Sequence, residues 1–266
     1  MRKLYTVLLS MMLLCIGCEW RFGNADSHQD WLLTISRYDR VQSLYLTTGD
    51  LSALQQMNTE FPQQTRTLIE DVLHIGKVDN PAINKQLLKY YQDSTLQAVI
   101  AETQKQYADI DDINSSLSDA FEHLLKLLPT LCVPEVYTQI GSFDQSIIVS
   151  GEMLGISLDK YLGADYPIYQ RYGYSSEQLK QMGREYIVPD CIGFYLLSQY
   201  SHPEDSAASR EQMEEHIGRI QWVVNKVMKR RFFNNEMVRK ADSYMKKHKG
   251  MSIDEFLEQK DDLNVN

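Results

Sequence analysis

The sequence predicts an α+β protein, predominantly α-helical, with a small, mostly antiparallel sheet packed on helices. Three observations carry that expectation. Ile113, Leu117, Phe121, Leu124 and Leu128 form one apolar stripe at helical spacing, and Pro129 ends it. Short β-branched runs cluster between residues 134 and 160. After Tyr174 the pattern is helical almost to the end. A composition of 43% hydrophobic and 24% charged residues is that of a globular chain. A net charge of −9 argues against general nucleic-acid binding, which needs excess cations to displace counterions, so no nucleic-acid partner is expected.

The N-terminus predicts targeting. Arg2 and Lys3 precede an apolar run, Val7 to Ile16, too short to span a bilayer, and the run ends at Gly17-Cys18. A small residue before a cysteine is the cleavage pattern of lipoprotein signal peptidase. Residues 1–17 read as a signal peptide, Cys18 as the lipidated residue and 18–29 as a polar tether. Cys15 is the poorer candidate, because Leu14 is large. Residues 30–260 read as one domain. Lipidation implies a bacterial cell-envelope protein, held to a membrane through its lipid. Glu19-Trp20-Arg21 is no acidic cluster of the kind that marks surface export, so the expected place is the outer membrane, facing the periplasm. Cys132 and Cys191 remain. An oxidising envelope permits a disulfide, while their apolar neighbours suit two small buried side chains.

In chain order, residues 31–35 read as a first strand. Leu51, Leu54, Met57 and Phe61 mark a helix with Asp50 as N-cap and Pro62 as its end. Helices follow at 65–74, 84–92, 94–107 and 112–128, with Pro81 in a first turn. Residues 134–141 and 145–150 read as strands joined by a hairpin turn at 142–144, and 154–159 as a third strand. Ser175-Ser176-Glu177 opens a helix with Leu179, Met182, Tyr186 and Ile187 inward. A further helix spans 209–233 with Met213, Ile217, Ile220 and Val224 inward. Asn234-Asn235 breaks it before a helix at 236–247, capped by Gly250, and a short one at 253–258.

The helix expected after Ser175 carries Arg184-Glu185-Tyr186-Ile187-Val188 at its centre. Zinc peptidases of the H-E-x-x-H type bind metal through two histidines on adjacent turns, with the glutamate as general base. Here Glu185 holds the base position, but Arg184 and Val188 stand at the ligand positions. Arginine stays protonated and valine has no donor atom, so no metal or other cofactor is expected there. Pro189 is expected to kink or end the helix. The same residues also suit a charged pair on a solvated helix face. A substitute carboxylate site could draw on Glu211, Glu215 and His216, joined by Asp190 and Glu185, though solvated first turns are also rich in such charges.

Tyr161, Tyr166, Tyr169, Tyr172 and Tyr174 make residues 161–174 the most unusual composition in the chain. Tyrosines suit grooves and interfaces, and they equally suit a loop packed by its rings. Together with Asp165, Arg184 and Glu185, Tyr161, Tyr166, Tyr169 and Tyr172 are the candidate binding-groove residues. Cations between Lys226 and Lys249 make the C-terminal helices locally basic. Such a face could lie on anionic headgroups or be an ordinary solvated surface.

The lipoprotein signal, Ile35-Ser36-Arg37-Tyr38-Asp39, the run from Ser157 to Tyr169 (SLDKYLGADYPIY) and Arg184-Glu185-Tyr186-Ile187-Val188 together resemble the gliding-motility lipoprotein B family of Bacteroidota. That family is in turn similar to predicted zinc-dependent peptidases, in which a like strand and tyrosine loop precede a true H-E-x-x-H helix. The resemblance implies a degenerate zincin-like core with both histidine ligands lost. It also implies an envelope lipoprotein of the gliding machinery. The expected role is non-catalytic: binding envelope proteins or peptides by adding them to a sheet edge above the helix, within a motility- or secretion-related assembly. The alternatives are an envelope hydrolase with a noncanonical metal site and Glu185 as base, and a purely structural subunit of such an assembly.

Overall fold

A computed structural model describes residues 33–200, 210–259 and 263. The expected signal peptide, lipidated Cys18 and tether lie outside the described residues. Contacts group Leu32–Asn266 into one unit. Its elements are α1 (Tyr38–Thr48), α2 (Leu51–Thr59), α3 (Pro62–Thr67), a π turn (Leu68–Val72), α4 (Ile83–Tyr91), α5 (Ser94–Gln106) and α6 (Asp111–Leu127). Then come β1 (Glu135–Gln139), β2 (Ile147–Ser150), β3 (Met153–Ser157), α7 (Pro167–Arg171), α8 (Ser176–Lys180), α9 (Ile187–Gln199), α10 (Arg210–Val227), α11 (Glu236–Lys247) and α12 (Ile253–Glu258). The class is α+β and predominantly helical, as expected.

The helices with strong local signals form where the sequence places them. The α6 stripe is buried along its whole length. Burying each such aliphatic side chain contributes roughly 1.5–3 kcal/mol. The Asp50 carboxylate accepts the amides of Ser52 and Ala53, satisfying two otherwise orphaned donors of α2. On α2 only Met57 of the expected stripe is fully buried, and Leu51 is 76% exposed, because this short helix lies at the surface. Pro62 stands at the first position of α3, where its missing N–H is harmless. Pro81 lies in the turn before α4 rather than in its first turn. The cap of α11 is His248, not Gly250.

The sheet departs from the expected order. β3 is central, parallel to β1 and antiparallel to β2, so the sheet is mixed rather than mostly antiparallel. Residues 142–144 therefore join two strands that do not pair. The hairpin is instead β2–β3, closed by Gly151 and Glu152, with Gly151 at φ +59°. The first strand expected near Ile35 is reduced to a single bridge from Ser36 to Tyr137, while Trp31 and Leu32 lie outside the described residues. Because β3 is paired on both sides, it offers no free edge to which a peptide could add.

The C-terminal half packs on α9, which is apolar nearly all round and touches α6, β2, β3 and α10. The expected helix from Ser175 stops at Lys180. A 3₁₀ turn (Arg184–Tyr186) follows, and α9 starts at Ile187. The segment 184–188 thus precedes and opens a helix instead of centring one. Pro189 falls in the first turn of α9, where the chain starts rather than breaks. On α10, Ile220 and Val224 are buried, but Met213 and Ile217 are open, so the expected stripe leaves the core at its N-terminal half. Gly218 is needed where α10 crosses α11: a Cβ there would sit 2.4 Å from that of Met237.

Candidate functional site

The tyrosine-rich segment is first a set of locks. Buried Asp159 accepts the amides of Gly141 and Phe143, each at 2.7 Å, holding a loop in which Ser142 and Phe143 take left-handed φ of 59° and 65°. Burial pushes the Asp159 carboxyl up, and those two amides oppose the shift. The Tyr169 hydroxyl donates to the Asp159 carbonyl at 2.6 Å and accepts the Leu162 amide at 2.9 Å. Its ring packs edge-on against Phe143, Tyr166 and Tyr174. The sequence could show the tyrosines but not which way each hydroxyl turns.

The other candidate residues scatter. Tyr169 is fully buried, Tyr166 is half-buried, and Asp165 and Tyr172 are exposed. Arg184 makes two hydrogen bonds to Asp112, donates to the carbonyls of Gln106 and Asp109, and lies 4.9 Å from the Tyr107 ring centroid. It clamps the α5–α6 connection, and the guanidinium holds the Asp112 carboxyl below its ordinary range. Glu185 is exposed, with its carboxylate folded over Gly183. Val188 is buried in the core. Two would-be metal-ligand positions are thus committed to an ion pair and to packing.

The substitute carboxylate set is not assembled. Among the described residues, no group of three or more His, Cys, Asp or Glu side chains could hold a metal ion. Glu211 is exposed, while Glu215 is buried and accepts the Leu263 amide at 3.0 Å. Cys132 is exposed, Cys191 is buried, and they are not bonded to each other.

A concave site forms around the first turn of α9. A groove of about 440 Å³ runs between α9, α10 and the end of the tyrosine segment. Phe194, Leu197, Ile217 and Met182 supply apolar walls, and Phe194 (42%) and Ile217 (37%) are unusually exposed for their type. Among them stands Asp190, whose Oδ2 accepts a 2.8 Å hydrogen bond from the Tyr161 hydroxyl. Burial pushes the Asp190 carboxyl up to about 7, and the Tyr161 bond only partly opposes this. Asp190 is therefore poised between donor and acceptor near neutral pH. Of the candidate groove residues, Tyr161 alone lines this groove. Asp190 entered the sequence reading only as an accessory metal ligand. Its burial comes from the packing of α9 on distant parts of the chain, which no local pattern reports.

The early segment is a lock of the same kind. Arg37 pairs with buried Asp39 at 2.8 Å, and Asp39 accepts the Thr138 hydroxyl at 2.5 Å, tying the N-terminal segment to β1. The segments around residues 36, 159 and 184 are thus joined in one scaffold, and a model of a known family spans all of them. The model described as gliding motility protein GldB matches residues 23–234. The chain belongs to the GldB family. This assigns a GldB-type gliding-motility lipoprotein. No curated protein and no solved structure matches the chain. The GldB match takes in the whole scaffold, the α9 groove and α10, and ends just before α11. Among the described residues, no helix is long and apolar enough to cross a membrane.

Proposed function

We propose that this GldB-family chain is a lipid-anchored, non-catalytic envelope protein that binds a segment of a partner protein in the groove between α9 and α10. Lipidation at Cys18 and residence in the outer membrane, facing the periplasm, are part of this reading. The observation that carries it is the groove itself: exposed Phe194 and Ile217 flank a carboxyl held by Tyr161. Apolar walls with a few polar groups, Asp190 and Lys160 among them, suit a segment that presents an apolar side chain beside a hydrogen-bonding group. The test is a photocrosslinking residue at position 194 in growing cells. A discrete adduct that disappears with Ile217→Asp supports the reading. The same adducts from exposed position 51, on α2, would sink it.

One observation favours a hydrolase as the second reading. A carboxyl titrating near neutrality in a cleft is what general acid–base chemistry requires. That role would fall to Asp190, since Glu185 does not line the groove. Asp190→Asn that abolishes the cellular phenotype while the 194 adduct persists would support catalysis over binding.

A further inference from the structure

A second concavity, of about 680 Å³, lies where α10 turns into α11. Lys226, Lys229, Arg230, Arg231 and Arg239 surround it, and Trp222 lies within it. The chain carries 36 acidic side chains against 27 Lys and Arg, so an isolated cation would readily find a carboxylate. Yet among the described residues none of these five is in an ion pair, while Arg37, Lys77 and Arg184 all are. The one carboxylate in the cleft, Asp242, is already engaged by Lys246 at 2.6 Å and by the Trp222 indole N–H at 3.1 Å.

Lys226, Lys229 and Arg230 are held in place by contacts other than ion pairs. Lys226 lies 4.8 Å from the Trp222 ring centroid and Arg230 4.6 Å from that of Phe232. Lys229, at a left-handed φ of 51°, reaches His123 Nε2 at 2.7 Å. The α10 dipole accounts for Lys226, in its last turn. It does not account for Arg239, which sits in the first turn of α11, where a cation is disfavoured.

We infer that this cleft binds a phosphoryl anion, carried by a soluble phosphate ester or by an anionic lipid headgroup. Arginine forks and lysine points around a concave floor are the chemistry that recognises such groups. The site is independent of the α9–α10 groove, so either reading can fail without the other.

The test uses the full chain in neutral detergent micelles, titrated calorimetrically with pyrophosphate. A second titration compares micelles doped with phosphatidylglycerol and with phosphatidylcholine. Arg231→Glu and Arg239→Glu, each checked for an unchanged melting temperature, should each weaken binding about tenfold or more. Lys249→Glu, outside the cleft, should not. Saturable pyrophosphate binding with that variant pattern supports a soluble ligand. A response to phosphatidylglycerol alone, with the same pattern, assigns the headgroup. No binding of either probe, or binding equal in the cleft variants and the parent, overturns the inference.

Discussion

The Tyr161 hydroxyl donates to Asp190 Oδ2 at 2.8 Å, joining the start of the tyrosine segment to the first turn of α9. This bond fixes the carboxyl of the α9–α10 groove. It also partly offsets the cost of burying that carboxyl. Tyr161→Phe removes the donor while keeping the ring. It should lower stability by about 1–3 kcal/mol and move the Asp190 titration midpoint above its present value of about 7. Urea denaturation and a carboxyl carbon NMR titration read the two effects separately.

Asp190 also makes a signed pH prediction. Its carboxyl is raised from 3.8 to about 7 in the folded state. Between those values the folded chain holds a proton that the unfolded chain has lost. The contribution of Asp190 to stability is therefore greatest below about pH 4, declines as pH rises to about 7, and is level above that. Asp190→Asn should flatten this decline. Unfolding midpoints of parent and variant across that range check it, and parallel curves would rule it out.

The tyrosines separate by burial. Tyr169 is fully buried and bridges Leu162 and Asp159, while Tyr172 is 55% exposed. Tyr169→Ala should cost about 3–5 kcal/mol, as large aromatic truncations in cores do. Tyr172→Ala should cost less than about 1 kcal/mol. Thermal denaturation of the two variants gives the comparison. Loss of function in Tyr169→Ala would then report unfolding and says nothing about a ligand.

What was legible in the sequence follows from range. The α6 stripe, the Asp50 cap and the helices 236–247 and 253–258 rest on residues within a few turns of one another, and they form as read. The order of the sheet does not rest on neighbours. The chain between β1 and β2 resembles a hairpin turn in length, but Asp159 captures its amides and leaves β3 to fill the place between them. The family's motifs were visible as words, and their meaning was tertiary: Asp159, Tyr169 and Arg184 turn out to fasten the scaffold. Asp190 stands in no motif. Its place in a groove depends on α9, α10 and Tyr161 enclosing it.

The segment 184–188 offers the sharpest test of whether this scaffold can hold a peptidase-type zinc site. Arg184→His with Val188→His rebuilds the H-E-x-x-H letters. For those letters to hold zinc, both imidazoles must project from adjacent turns of one helix. Here residues 184–186 form a 3₁₀ turn and α9 begins only at Ile187, so the two positions do not share a helix. Position 184 clamps the α5–α6 connection through Asp112, and position 188 is 6% exposed within the core. The double variant should therefore bind no stoichiometric zinc by elemental analysis. It should also lose more than about 3 kcal/mol of stability, since a buried imidazole without a partner and a broken clamp both act against the fold. Zinc at one equivalent with stability retained would mean that α9 extends back through Arg184 when ligands are supplied. The GldB scaffold would then accept a metal geometry that its own side chains at 184 and 188 do not supply.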